Sequence, residues 1–452
     1  MYLVIAVNIA LPTMARELNV SMAQITWVVA LYLIVISGVL LLYGRLGDLL
    51  GKTRIAKLGF VIFTGGSFLA GLNIGFAFLL FARVVQAAGA GMFMATAFGI
   101  IAQVFPPERR ARAMAINSMF VSIGGIAGPA LGGLILSVLP WNYIFWINVP
   151  IGIVGYLFGR RALPHEKGQG SLKDVDLIGW LQLFVMIVVV FLALNTGQLI
   201  GWTNPLILGG FVLGFLVLGS FIYTENHTEK PLIDLGIFKN RLFSLSLVTA
   251  MLNFTASQFP AILIPFYLQD FRGLQAGVAG LIMMAYPLAM LITAPISGYF
   301  SDFLDKEWIT FIGISVIVLS VVGYFLLGAK TSIIFVVICQ ALYGAGAGIF
   351  QSPNNTMIMS LVEKKYLGVA GSVNALVRNI AFVTGTSLST IILFIAMSQI
   401  LGIRVTGYVA TSPAAFISGL HRAFIGALIL VGITWLRGLV RLLGKTRKKL
   451  PI

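Results

Sequence analysis

Two arginines lie within stretches of sequence that are otherwise apolar. LLFARVVQAAGAG (79–91) contains Arg83 followed by Gln86, and Arg378 lies within the apolar stretch 367–398. An arginine well inside a bilayer costs about 2.5 kcal/mol or more, so each guanidinium needs a partner. A guanidinium binds carboxylates and carbonyl oxygens through several donors. These two positions are therefore candidates for charge pairing or for recognition of an anionic or zwitterionic substrate.

Amide side chains are further polar groups within the apolar stretches. Polar residues within spanning helices are the best indication of a substrate pathway, although helix packing or lipid exposure competes for each one. The candidates for lining a central cavity are Asn117, Asn148, Gln258, Tyr286, Gln351, Asn374 and Arg378.

The composition places the chain in lipid. Of its 452 residues 59% are hydrophobic and 10% are charged, whereas a soluble protein has about 25% charged residues. Most apolar segments reach the roughly 20 residues that span a hydrocarbon core. The first spans only about 20 Å, so we expect residues upstream to complete it or the start to lie earlier. The fourteen segments are 1–14, 24–44, 55–73, 76–104, 111–138, 144–162, 177–197, 204–223, 242–268, 275–300, 308–328, 332–360, 367–398 and 413–440.

The net charge of +16 is a topology signal. With the N-terminus inside, 23 of the 30 Lys and Arg residues fall in inner loops, inner helix ends or the C-terminal tail. This positive-inside pattern predicts a multi-pass protein of the cell membrane with both termini in the cytoplasm. The charge therefore does not indicate nucleic-acid binding.

Several classes of site have no sequence basis. The single cysteine, Cys339, and three widely separated histidines predict no metal centre. GDLLGKT fails the spacing of a phosphate-binding loop, because Leu46 stands five residues before Gly51. No nucleophile–base pair appears. We expect no enzyme activity, no cofactor and no ATP binding.

Two regions of the chain have similar sequences, and matching residues differ in number by a nearly constant offset. GRLGDLLGK (44–52) matches GYFSDFLDK (298–306) at an offset of 254, and GAGMF (89–93) matches GAGIF (346–350) at 257. Parallel repeats are one architecture of secondary transporters. We predict an all-α membrane protein of fourteen helices, built as a six-helix half (1–165), a two-helix insertion with its linkers (166–241) and a second six-helix half (242–452).

GRLGDLLGKTR (44–54) predicts a conformational latch. Asp48 near a helix C-terminus is not favoured by the helix dipole, so it needs a partner such as a neighbouring helix N-terminus, Arg54 or Arg112. Such a pair could form in one conformation and break in another. The competing interpretation is an ordinary solvated loop. The latch residues would be Gly44, Asp48, Gly51, Lys52, Arg54, Gly298 and Asp302.

GGIAGPALGG (124–133) predicts close helix packing in the fifth segment. Glycines every four residues form a flat strip, and a proline favours a kink. Packing alone would also explain the pattern. The motif residues are Gly124, Gly128, Pro129, Gly132 and Gly133.

These motifs carry a resemblance that covers essentially the whole chain. The chain resembles the major facilitator superfamily and, within it, the fourteen-helix drug:proton antiporters. Ala87 stands where the fourth-helix motif usually has glycine. The resemblance implies transport by alternating access of two halves, and that the fifth helix lies between the halves and influences leak and direction. The matching stretches are 7–12, 44–54, 83–91, 124–133, 141–152 and 176–243.

The acidic residues depart from this family's pattern. All fourteen Asp and Glu residues lie in loops or at segment ends, and the aspartate usual in the first helix is Leu3 here. Asn8 and Arg83 lie at similar depths, so we predict a coupling network of Asn8, Arg83 and Gln86 in which an amide replaces the carboxylate. The alternative is that Arg83 reaches the interface or bonds backbone carbonyls.

The sequence therefore predicts a secondary transporter, exporting hydrophobic or amphipathic drug-like compounds with proton coupling. One alternative is a transporter of a lipid, metabolite or organic anion without ordinary proton antiport. Another, of a different class, is a non-transporting membrane sensor or scaffold. The expected partners are a small-molecule substrate, protons and the lipid bilayer, and the expected state is a monomer.

Overall fold

The computed structural model describes residues 2–105, 124–125, 128, 131–163, 176–228, 231–233, 235–362, 367–409 and 411–449. Regular structure in these ranges is helical throughout, as the sequence predicts.

Before the insertion, seven helices have both ends within the described residues. They are α1 (Tyr2–Glu17), α2 (Met22–Ile25), α3 (Trp27–Leu50), α4 (Lys52–Ala70), α5 (Phe76–Val104), α6 (Tyr143–Trp146) and α7 (Asn148–Ala162). Of the fifth predicted segment, the described part includes helical residues at 131–138. The insertion itself consists of α8 (Leu177–Ile200) and α9 (Pro205–His227).

The remainder of the described chain adds seven more helices and two short turns. A 3-10 turn (Leu235–Lys239) precedes α10, and a π-helical turn (Tyr267–Phe271) follows it. The helices are α10 (Arg241–Phe266), α11 (Ala276–Met283), α12 (Ala285–Phe303), α13 (Lys306–Phe325), α14 (Ile333–Ser360), α15 (Leu367–Leu401) and α16 (Pro413–Lys449).

Ten helical stretches in the described ranges are long and apolar enough to cross a membrane, where α2 with α3 and α11 with α12 each count as one. The two predicted segments matched by α1 and α7 are shorter, with 16 and 15 helical residues. Most of the fifth lies outside the described residues. The count of fourteen spanning segments therefore stays a prediction.

Short polar sequences set the helix boundaries. Gly51 has a positive φ of 99° between α3 and α4, a backbone conformation that glycine adopts without steric cost. Asp176, Asn204, Asn240, Asp305 and Ser332 each accept a backbone N–H in the first turn of the helix that follows. Such caps satisfy donors that have no partner within the helix.

The sequence repeat recurs in the packing. Helices α3, α4 and α5 pack together, as do α12, α13 and α14. A Cβ built on Gly89 would lie 2.7 Å from the Gly59 carbonyl oxygen, and one built on Gly346 would lie 2.8 Å from that of Gly313. The two glycine pairs are related by the offsets of the sequence repeat. Both halves therefore use the same backbone contact between neighbouring helices.

The two ends of the bundle differ in charge. We call the end that carries Lys52, Arg54, Lys239, Lys306 and Arg441 the basic end. The other end contains the turns that connect α1 to α2, α4 to α5 and α8 to α9, and it is called the opposite end.

Helix α8 of the insertion contacts both halves of the repeat. Trp180 Nε1 donates to the Gly38 carbonyl of α3 at 2.8 Å, and Asn195 Nδ2 donates to Ser387 Oγ of α15 at 2.9 Å. α9 packs along α8. The insertion is therefore attached to the bundle where the two halves meet.

Candidate functional site

Arg83 lies at the centre of a buried polar chain that connects three helices. It is fully buried, its Nε donates to the Val28 carbonyl at 2.9 Å, and its Nη1 donates to Gln86 Oε1 at 2.5 Å. Gln86 Nε2 donates to Ser67 Oγ at 2.7 Å, and Ser67 Oγ donates to the Phe63 carbonyl at 2.7 Å. The guanidinium thus orients side chains of α5 and α4 against α3.

Aromatic rings stabilise the charge of Arg83 in place of a carboxylate. Arg83 Cζ lies 3.9 Å from the centre of the Tyr32 ring and 5.6 Å from that of Phe145. A desolvated cation–π contact contributes about 2 kcal/mol. No ion pair of Arg83 occurs within the described ranges. The site therefore holds a fixed positive charge deep in the first half.

The predicted hydrogen bond between Asn8 and Arg83 is not formed. Asn8 is buried, yet its Oδ1 has no hydrogen-bond partner, and Arg83 Nη2 also lacks one. The planar guanidinium is instead aligned by the Val28 carbonyl and Gln86. The hydrogen bond to the Val28 carbonyl agrees with the alternative interpretation, in which Arg83 binds backbone carbonyls. The hydrogen bond from Arg83 to Gln86 joins two of the three residues of the predicted network.

The second half has an amide where the first half has this charge. Gln340 occupies the position of Arg83 at the offset of 257, and Tyr286 occupies that of Tyr32 at 254. Gln340 Nε2 donates to Met283 Sδ at 2.8 Å, and Tyr286 packs on Tyr343 with ring centres 6.0 Å apart. At these equivalent positions only the first half carries a positive charge, which the sequence offsets could have indicated.

A second group of polar side chains lies on α14 and α15. Gln351 and Asn355 are four residues apart on α14, and Asn374 and Arg378 are four residues apart on α15, so each pair shares a helix face. Asn374 Nδ2 donates to Asn355 Oδ1 at 3.1 Å, and all four residues are partly exposed. Arg378 forms no hydrogen bond or ion pair with a residue of the described chain. Its guanidinium is available to a polar ligand.

The remaining predicted cavity residues are engaged elsewhere. Asn148 Nδ2, at the start of α7, donates to the carbonyls of Ile144 and Phe145 in the preceding α6. Gln258 is buried between α10 and α15, where Thr386 Oγ1 donates to its Oε1 at 3.4 Å. Asn117 lies outside the described residues. A central cavity lined by the groups on α14 and α15 stays a prediction.

Within the described chain, the latch motif forms a local ion pair. Asp48 Oδ1 lies 2.6 Å from Lys52 Nζ at the start of α4, and the Asp48 side chain is 54% exposed. Arg54, one predicted partner, is exposed. In the matching stretch of the second half (298–306), a Cβ built on Gly298 would lie 3.0 Å from Ser352 Oγ. Arg112 and the side chain of Asp302 lie outside the described residues.

Replacing Asp48 with asparagine should lower the maximal transport rate more than the apparent affinity for cargo. An exposed ion pair contributes at most about 1 kcal/mol to stability, so the fold should survive. A pair that must exchange partners during the cycle would slow turnover instead. Initial rates in liposomes at varied cargo concentration measure both quantities. Glu17→Gln, which changes an exposed acid at the opposite end, is the control, and an unchanged maximal rate for Asp48→Asn would remove the latch.

The glycine motif of the fifth segment brings two helices close to it. A Cβ on Gly132 would lie 3.1 Å from Ala6 Cα of α1, and one on Gly133 would lie 3.0 Å from Gly280 Cα of α11. Gly133 therefore makes a contact across the two halves. Gly124 and Gly128 are described as helical, whereas Pro129 lies outside the described residues.

Sequence reasoning missed two acidic contacts. Asp270 Oδ1 lies 3.6 Å from Arg16 at the opposite end. Asp176 and Glu225 come together at the start of α8 and the end of α9, where Glu225 is 4% exposed. Their positions at the same end of an antiparallel helix pair were the signal that could have indicated this.

The chain matches the Major Facilitator Superfamily over residues 1–386. It is 34% identical to the Riboflavin transporter RibZ of Clostridioides difficile (strain 630), over 94% of this chain and 92% of that protein. It is 27% identical to the Multidrug resistance protein 3 of Bacillus subtilis (strain 168), over 81% of this chain and 72% of that protein.

Solved structures share the fold. The crystal structure of a POT family transporter in complex with 5-aminolevulinic acid aligns with a TM-score of 0.72 and 17% identity, covering 99% of this chain and 93% of that one. The chain is a transporter and not an enzyme. It is a multi-pass membrane protein that belongs to the Major Facilitator Superfamily.

Proposed function

We propose that the chain is a secondary active transporter that works by alternating access, with the basic end in the cytoplasm. The main support for this proposal is that hydrogen bonds and an ion pair join the two halves at the opposite end. Gln269 Nε2 donates to the Ile9 carbonyl at 2.8 Å, Arg16 lies 3.6 Å from Asp270, and the Ala23 N–H donates to the Thr406 carbonyl at 3.0 Å. These contacts close the pathway on the outer side of the membrane.

The divisions proposed from the sequence accommodate this cycle. The halves 1–165 and 242–452 would rock against each other around the cargo, and the insertion within 166–241 would follow them. The proposed setting is a monomer in the cell membrane with both termini in the cytoplasm.

The cargo we propose is a neutral or anionic amphipathic metabolite with a planar heteroaromatic ring system, of the riboflavin type. The amides on α14 and α15 can donate to and accept from ring carbonyl and N–H groups. Arg378 adds an unpaired cation beside them, which disfavours a positively charged cargo. The name of the relative from Clostridioides difficile supports this choice.

Drug export with proton coupling is the second candidate, because a relative from Bacillus subtilis is named for multidrug resistance. Against export of cationic drugs, no ion pair neutralises Arg83 or Arg378 within the described chain. A sensor or scaffold would bind cargo without moving it.

Counterflow in liposomes tests the proposal. Vesicles loaded with unlabelled riboflavin should accumulate labelled riboflavin without any imposed ion gradient, because exchange needs only binding and conformational change. Arg378→Gln should reduce exchange by about tenfold, the value of one lost charge-assisted hydrogen bond. Arg422→Gln, at an exposed arginine that donates to Gln399, is the control and should leave exchange unchanged.

Experiments with other cargoes distinguish the proposed function from its alternatives. Exchange of a lipophilic cationic dye without exchange of riboflavin would favour drug transport over the metabolite. Exchange of no tested cargo would favour the sensor. An imposed pH gradient then tests coupling: net uptake that ignores collapse of the gradient would exclude proton antiport.

A further inference from the structure

Two carboxylates meet at the basic end of the insertion. Asp176 caps α8, where its Oδ1 accepts the Gly179 N–H at 2.9 Å. Glu225 lies near the end of α9, where its Oε2 accepts the Ile233 N–H at 3.0 Å. Each carboxylate therefore uses one oxygen to fix backbone, and each has one oxygen left.

The two remaining oxygens are buried and adjacent. Asp176 Oδ2 and Glu225 Oε1 are inaccessible to solvent and have no hydrogen-bond partner. A Cβ built on Gly179 would lie 2.5 Å from Asp176 Oδ2 and 2.7 Å from Glu225 Oε1. Only glycine at position 179 allows both oxygens to approach the same point of the α8 backbone.

The neighbouring elements supply no compensating cation within the described residues. Neither carboxylate has an ion pair with Arg45 of α3, His227 of α9 or Lys239 of the 3-10 turn. His227 Nδ1 instead faces the Tyr223 carbonyl at 2.8 Å. The charged linker residues outside the described ranges are Glu166, Lys167, Lys173, Asp174, Glu229, Lys230 and Asp234.

We propose that Asp176 and Glu225 share one proton between Oδ2 and Oε1. Two carboxylates whose facing oxygens are both shielded from solvent cannot both remain charged without a penalty, and one proton supplies the missing donor while it removes one charge. The ligand of this site is the proton itself.

Loss of the proton would loosen the base of the insertion. Two negative charges would then face each other across Gly179, and the Glu225 carboxylate would turn away from its neighbour. Because Glu225 also holds Ile233, the segment that leads into α10 would lose its anchor on α9. Since α8 contacts both α3 and α15, proton occupancy at this site would be transmitted to both halves.

Amide variants imitate the proton-bound pair. In Glu225→Gln or Asp176→Asn the new NH2 group can donate to the remaining carboxylate, while the amide oxygen keeps the backbone contact. The thermal unfolding midpoint of the purified full chain should match wild type at acidic pH. A folded state that holds a proton loses stability as the pH rises. The unfolding midpoint of the wild type should therefore fall with increasing pH. The midpoint of each variant should fall by about half as much or less.

Asp305→Asn is the matched control, because Asp305 also caps a helix at the basic end and its replacement should leave the wild-type pH profile unchanged. Parallel profiles for wild type and both amide variants would overturn the proposal. Stabilisation of wild type by added sodium or magnesium at constant pH, absent in the variants, would also overturn it in favour of a cation site. The readout needs no cargo, so it stands apart from the proposed function.

Discussion

Replacing Arg83 with lysine should reduce counterflow by at least about tenfold. The guanidinium donates from Nε to the Val28 carbonyl and from Nη1 to Gln86 while its plane lies over Tyr32. An ammonium group on a flexible stem cannot reproduce this planar fork. Loss of one hydrogen bond that involves a charge costs about 1.5–3 kcal/mol, which corresponds to tenfold or more.

Arg378→Lys provides the matched comparison. Arg378 is also an arginine within a spanning helix, but it has no hydrogen bond in the described chain, so a positive charge alone can serve there. Counterflow should therefore fall much less in this variant. The folded fraction of each variant is measured by gel filtration. Equal loss in the two variants, or wild-type exchange in Arg83→Lys, would contradict the proposed role of the planar group.

Replacing Gly89 with valine should strongly destabilise the first half. A Cβ at this position would lie 2.2 Å from the Phe63 backbone nitrogen and 2.7 Å from the Gly59 carbonyl oxygen. Backbone atoms cannot move aside as a flexible side chain does, so α4 and α5 would have to separate. Overpacking typically costs about 1–3 kcal/mol and occasionally more, and a clash with backbone atoms places this variant at the upper end. The yield of folded protein and the thermal unfolding midpoint should both decrease.

Gly65→Val is the control for valine in a glycine position of α4, because a Cβ there would meet nothing within 4 Å. Gly346→Val should repeat the Gly89 effect in the second half, where the equivalent contact involves Gly313. A Gly89→Val protein as stable as Gly65→Val would show that close packing is not required at this position.

The general fold could be predicted from the sequence because lipid imposes simple rules. Long apolar segments predict the helices, whereas the orientation inferred from the distribution of Lys and Arg stays a prediction. The similarity of GRLGDLLGK to GYFSDFLDK indicates the repeat. Gly89 and Gly346 form equivalent contacts in the two halves.

The partners of the candidate site were harder to predict. Sequence position gives the depth of a residue along its helix, but it does not give the direction in which the side chain points. Asn8 and Arg83 were therefore matched by depth, whereas the Arg83 plane is fixed by Val28 and Gln86. The sequence places Asp176 and Glu225 at segment ends but does not reveal their contact, because that contact depends on how α8 and α9 pack.

Spin-label distances across both ends of the bundle test alternating access most directly. Labels on Glu17→Cys and Gln275→Cys report the opposite end, and labels on Arg54→Cys and Leu304→Cys report the basic end, with the buried Cys339 replaced by alanine. All four labelled positions are exposed. Alternating access predicts two distance populations for each pair in lipid nanodiscs, and a shift to the longer distance at one end must accompany a shift to the shorter distance at the other. A single unchanging distance at both ends, or simultaneous lengthening at both, would contradict it.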